Sequence, residues 1–131
     1  MSRRRVVWQI SPAAKIRASQ HWIGVDIVEW KKAKVFYETH RERLGSFFPA
    51  PERRFIEKER KPYEALAMIF AAKEAVFKAL GSPWMGPEGF RRIRIIPRRS
   101  GSYKVANHPE LEVTLKKNRR YVVACCGPST Q

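Results

Sequence analysis

The chain is short of cysteine, of acid and of long apolar runs. Only two of its 131 residues are cysteine, the adjacent Cys125 and Cys126. Neighbours in a strand point to opposite faces, which argues against a disulfide between them and fits a reducing compartment, the cytoplasm. His21, His40 and His108 are scattered, and no paired Cys or His spacing makes a case for zinc. The longest apolar stretch, Ala65 to Ala72, is soon followed by Lys73 and Glu74. That is far short of the ~18 residues a membrane-spanning helix needs, so a soluble protein is expected. There is no internal repeat and no low-complexity tract.

Acid is scarce against base: 12 Asp and Glu face 27 Lys and Arg, a formal net charge of +15. Arg3, Arg4, Arg5, Lys15 and Arg17 precede any carboxylate, and ten basic residues between Arg91 and Arg120 face only Glu110 and Glu112. Such a field speeds encounter with any polyanion without naming one, so nucleic acid, anionic lipid, a phosphorylated cofactor and an acidic protein all stay open. A solvated basic surface with no binding role would show the same balance.

With 44% hydrophobic residues, the length suffices for one core and not for two ordinary domains. Residues 1–20 read as a basic N-terminal arm, 21–127 as the domain and 128–131 as a tail.

Within the domain, HWIGVDIVEW (21–30) alternates as a strand, with Trp22, Gly24, Asp26 and Val28 on one face. Ala33, Phe36, Tyr37, His40 and Leu44 follow at helical spacing, closed by Gly45, with Lys31, Lys32 and Lys34 crowding the first turn against the helix dipole. A short helix starts at Pro51, and a longer core helix runs from Tyr63 to Leu80, ended by Gly81 and Pro83. GSPWMGPEG reads as a loop. Arg92–Ile95, Leu111–Leu115 and Tyr121–Cys126 alternate as strands, the last two joined by the basic turn of LKKNRRY. This order predicts a single α+β domain, an antiparallel sheet with helices packed on one side.

On a helical wheel Glu74 falls about 40° from Phe70, at the edge of the apolar arc, and Lys78 about 40° further on. A desolvated carboxylate there needs a cation, either Lys78 one turn later or a bound metal. Lys73 lies among Leu66, Phe77 and Leu80, where snorkelling is the plain reading. Asp26 is an acid in an apolar strand. If strand and helix pack side by side, Asp26 and Glu74 make a hard-cation site of the kind magnesium takes, with waters and a phosphate completing the shell.

WIGVDIVEW and FAAKEAVFKALG, followed by VTLKKNRRYVVA, together resemble the signature segments of the holo-acyl-carrier-protein synthase family, the small single-domain class of 4′-phosphopantetheinyl transferases. The resemblance covers roughly Ile23 to Gly127. It implies a transferase-like fold and Mg2+-dependent transfer of 4′-phosphopantetheine from coenzyme A, as co-substrate, to a serine of an acyl carrier protein in fatty acid synthesis. Its implied catalytic residues are Asp26, Glu74 and Lys78, with Asp26 and Glu74 as metal ligands. The family's cofactor-phosphate lysine falls on Lys78 and its carrier-protein contacts on Lys31 and Lys32; Lys73 and Gly81 are expected as further cofactor contacts, with Lys117 of the basic turn as a substitute phosphate contact. The class also implies a homotrimer with active sites between subunits. Neither carboxylate easily serves as both metal ligand and base, so a water on the metal or a carboxylate is the expected proton acceptor. The sequence departs from many relatives at Ile69, at Ser82-Pro83 and at Lys116-Lys117. A weakly active or inactive carrier-binding homologue and, less favoured, a basic nucleic-acid-binding domain are the alternatives.

Overall fold

The computed structural model describes residues 23–81 and 86–129; the basic arm, Trp22, Ser82, Pro83 and the end of the tail lie outside the described residues. Alternation of GVDIVE forms β1 (Gly24–Glu29), whose Gly24, Asp26 and Val28 face inward as the pattern requires. The chain turns at once into α1 (Trp30–His40), whose first turn holds no acid, and runs on as a 3-10 segment, Arg41–Ser46. Then come α2 (Ala50–Glu57) and α3 (Pro62–Leu80), each with proline in its first turn, where a missing N–H does no harm. Gly81 ends α3 at φ 71, a left-handed position that glycine adopts without strain.

The segment read as a loop holds a helix, α4 (Gly86–Arg92), and the strand expected over Arg92–Ile95 shrinks to β2 (Ile95–Ile96). Two glycines and a proline hid α4, which is held by burial of Phe90 rather than by propensity. A strand not anticipated, β3 (Ser102–Val105), precedes β4 (Leu111–Lys117) and β5 (Tyr121–Pro128). The five strands lie in the order β1-β5-β4-β3-β2 with every pairing antiparallel. The α+β reading is therefore right, with four α-helices among the described residues in place of three.

α3 crosses the inner face of the sheet, and its Leu66, Ile69, Phe70 and Val76 are buried. Phe48, Phe70 and Phe77 surround Phe90 at centroid separations of 5.7, 4.9 and 6.2 Å, locking α4 into the core. In the β4–β5 turn, Asn118 Oδ1 accepts the backbone N–H of Arg120 and Tyr121. Trp30 Nε1 donates to the Asn118 carbonyl, tying the start of α1 to that turn.

Candidate active site

The close approach of α3 to β1 rests on one residue. A Cβ at Gly24 would stand 2.1 Å from the Ala75 carbonyl oxygen and 2.6 Å from the Ala79 amide nitrogen, both rigid helix backbone. Only glycine lets the strand lie this near the helix. The contact carries Asp26, two residues on and on the same face, to the C-terminal half of α3. There Lys78 Nζ lies 2.8 Å from Asp26 Oδ1 and donates to the Val25 carbonyl at 3.3 Å.

Asp26 is 0% exposed and Glu74, one turn before Lys78, is 2% exposed. Among the described residues Lys78 thus pairs with the strand carboxylate of Asp26, 52 positions away. Asp26 Oδ2 and Glu74 Oε2 are buried and take no hydrogen bond among the described residues. Two hard, buried carboxylate oxygens beside an ammonium suit a hard cation that keeps water and substrate oxygens in its remaining positions. Among the described residues no group of three or more His, Cys, Asp and Glu gathers as a metal cluster.

The profile of the 4′-phosphopantetheinyl transferase superfamily matches residues 23–126. The chain belongs to this superfamily. Among curated transferases it is similar to the holo-acyl-carrier-protein synthase of Chlamydia trachomatis serovar L2, 43% identical over 61 residues, which cover 46% of this chain and 51% of that one. It is also similar to the synthase of Clostridium kluyveri, 33% identical over 101 residues, 77% of this chain and 75% of the relative. Against the Chlamydia trachomatis relative the match spans about half of that protein's length. Among solved structures, the synthase–CoA complex from Chronobacterium ammoniagenes superposes with TM-score 0.60 at 26% identity, over 83% of this chain and 96% of that one.

Other residues expected at the transferase site are placed differently. Lys73 does not snorkel and has no surface for a cofactor: it is 0% exposed, and its Nζ lies 2.8 Å from Glu52 Oε1 while donating to the carbonyls of Phe90, at 2.9 Å, and of Ile93. The cofactor role expected of it is corrected to a structural one, because its buried ammonium is already held by two carbonyls and the Glu52 carboxylate. Its partner Glu52 escaped the sequence reading. The only signal was a glutamate in the first turn of α2, which reads equally as a complement to the helix dipole. Burial pushes the Glu52 carboxyl above its ordinary range and the Lys73 ammonium down to about 8, while their mutual attraction opposes both shifts.

The sign of the linkage follows. Lys73, lowered in the fold, contributes stability that is present above the ordinary lysine value of 10.5 and lost as pH falls through about 8. Glu52, raised, acts the other way and at lower pH, losing its contribution as pH rises through its raised value. Thermal melts between pH 8 and 10.5 should therefore climb more steeply for the native chain than for Glu52→Leu with Lys73→Met; equal slopes would refute the shift.

Lys117 sits at the end of β4, lining a cavity of about 270 Å³ with Arg60, Lys61, Glu64 and Met68. It also lines one of about 260 Å³ with Arg98, Arg99, Gly101 and Met68. Met68 precedes Lys78 by ten residues, roughly 15 Å of helix. Neither cavity has Asp26, Glu74 or Lys78 among its lining residues. Gly81 lies three residues after Lys78 at the end of α3, its N–H donating to the Lys78 carbonyl at 3.1 Å. Lys31 and Lys32 line a groove of about 430 Å³ along α1, with Glu29, Val35, Thr39 and His40. Val35 is 63% exposed there.

Cys126 is buried with its thiol pushed up to about 12, first by burial, and Cys125 is exposed on the opposite face, so they form no disulfide. Among the described residues no helix is long and apolar enough to cross a membrane.

Proposed function

We propose that the chain transfers 4′-phosphopantetheine from coenzyme A to a serine of an apo-acyl carrier protein and releases 3′,5′-ADP. The observation that carries this reading is the ion pair of buried Asp26 with Lys78, one helical turn after buried Glu74, in a chain of this superfamily. Asp26 and Glu74 would hold Mg2+, which when bound supplies charge neutralisation at the pyrophosphate of coenzyme A. Lys78 adds a positive charge beside them, where it opposes the charge that develops on the departing 3′,5′-ADP. The carrier serine Oγ forms the new bond to phosphorus as the phosphoanhydride bond to 3′,5′-ADP breaks, and its proton passes to a water on a carboxylate. The cavities around Lys117, ringed by Arg60, Lys61, Arg98 and Arg99, have the charge to receive the nucleotide's phosphates. The deciding assay is release of 3′,5′-ADP from coenzyme A by purified protein with apo-carrier protein, with and without Mg2+. No release with Mg2+ present would overturn the reading.

The groove on α1 suits the carrier protein: lysines at one end and an exposed valine along it match an acidic helix with an apolar stripe. Lys31→Glu with Lys32→Glu should raise the KM for the carrier several-fold and flatten its salt dependence through slower association, with little change in the KM for coenzyme A. An unchanged carrier KM would remove the groove from the interface.

A homotrimer with shared sites accounts for the separation of Lys117 from Lys78, since a neighbouring copy can supply the missing half. The sheet face away from the helices offers the contact surface, with Val25, Ile27 and Val123 only partly covered and Cys125 exposed. Light scattering at micromolar concentration should report about three times 15.3 kDa. A monomer would defeat this arrangement.

A further inference from the structure

Stability is a poor reason to keep an ion pair as deeply buried as Glu52–Lys73, because well-packed apolar residues of similar volume serve as well or better. What a charged pair does that an oily one does not is fix direction. Lys73 reaches from α3 to the carbonyls of Phe90 and Ile93, at the C-terminal end of α4, where helical carbonyls have no partner of their own. Glu52 reaches from α2 to the other side of the same stretch, its Oε2 accepting the Ile95 N–H at 2.6 Å. The rings of Phe48 and Phe90 lie 5.8 and 5.1 Å from Lys73 Nζ and keep water away. Arg94 bears on Glu52 and Arg91 on Lys73 as the nearby charges.

Beyond the packing of Phe90 and the Ala106 N–H on the Arg94 carbonyl at 2.8 Å, this stretch has a short strand to hold it. β2 is two residues long and stands at the sheet edge, paired only with β3. Immediately beyond lies the turn Arg98–Gly101, closed by the Gly101 N–H on the Arg98 carbonyl at 3.2 Å and tied to β4 by the Leu115 N–H on the Gly101 carbonyl at 3.0 Å. Arg98, Arg99 and Gly101 wall the basic cavity that Lys117 shares.

We propose that Glu52 and Lys73 are positioning residues for the transfer reaction: by clamping Phe90, Ile93 and Ile95 they set the course of the Arg98–Gly101 turn and so the grip of the cavity on coenzyme A. The inference rests on the transferase reading above. Neither residue touches substrate; both act through the turn.

Glu52→Leu with Lys73→Met keeps the volume and removes the direction. The variant should melt as high as the native chain or higher at pH 7, yet its KM for coenzyme A should rise at least tenfold, while kcat and the KM for the carrier protein stay within about twofold. Amide resonances of Arg99, Ser100 and Gly101 should shift together in 1H–15N spectra, whereas those of α1 should not. A folded variant with native KM and unmoved turn amides overturns the proposal. Should the double variant fail to fold, Glu52→Gln, which keeps an acceptor for Ile95 and drops the charge, takes its place: a raised KM with shifted turn amides supports the clamp, and native values of both overturn it. If the native protein releases no 3′,5′-ADP the transferase reading falls instead, and the turn amides alone decide whether the pair positions the turn.

Discussion

Asp26→Ala and Glu74→Ala should each lower turnover by at least about 10²-fold, the order expected when a positioned electrostatic element of the transition state is lost. The double variant should be little worse than the worse single one, because ligands of one metal act as a unit and their effects do not add. The two single variants should differ in stability. Asp26→Ala removes the 2.8 Å ion pair that Lys78 makes across to the strand, so it should also melt early. Calorimetry of Mg2+ and coenzyme A binding beside a melt of each variant separates the effects. Glu74→Ala that turns over with a native Mg2+ dependence would exclude the carboxylate pair as the metal site.

Gly24→Ala should be strongly damaging for a single added methyl. Its Cβ would overlap the Ala75 carbonyl and the Ala79 amide, atoms of a helix that cannot yield without losing its own hydrogen bonds. Pushing α3 off β1 amounts to overpacking at the upper end of the usual range, about 3 kcal/mol, enough to lower the melting temperature by more than about 10 °C. Activity should fall further than stability explains, since the same displacement parts Asp26 from Lys78, now 2.8 Å apart. Residual activity measured well below the variant's own melting temperature tests this. Native turnover there would mean that the site tolerates a looser strand–helix contact.

Much of the local structure was legible because its cause is local. The alternation of GVDIVE, the prolines opening α2 and α3 and the glycine ending α3 are patterns of period, ring and φ that the sequence carries within a few residues. The same patterns misled at α4, where GPEGFRR has the composition of a loop and is helical through burial of Phe90 against Phe48, Phe70 and Phe77. β3 was missed because SYKV is too short to display its period and is a strand by virtue of β4 beside it.

By itself the sequence determined that an acid-poor, cysteine-poor chain forms one α+β domain, and that Asp26 and Glu74 stand on apolar faces where a carboxylate requires a cation. Which cation meets which carboxylate was decided only by tertiary structure. Lys78 and Glu74 are neighbours on one helix, and Lys73 looks like a residue that should reach for water, yet Lys78 meets a strand residue 52 positions away and Lys73 is sealed against Glu52. Helical spacing fixes which side chains share a face, but it is silent on what the fold brings against that face. Here a glycine without a side chain and a glutamate on another helix set those partners.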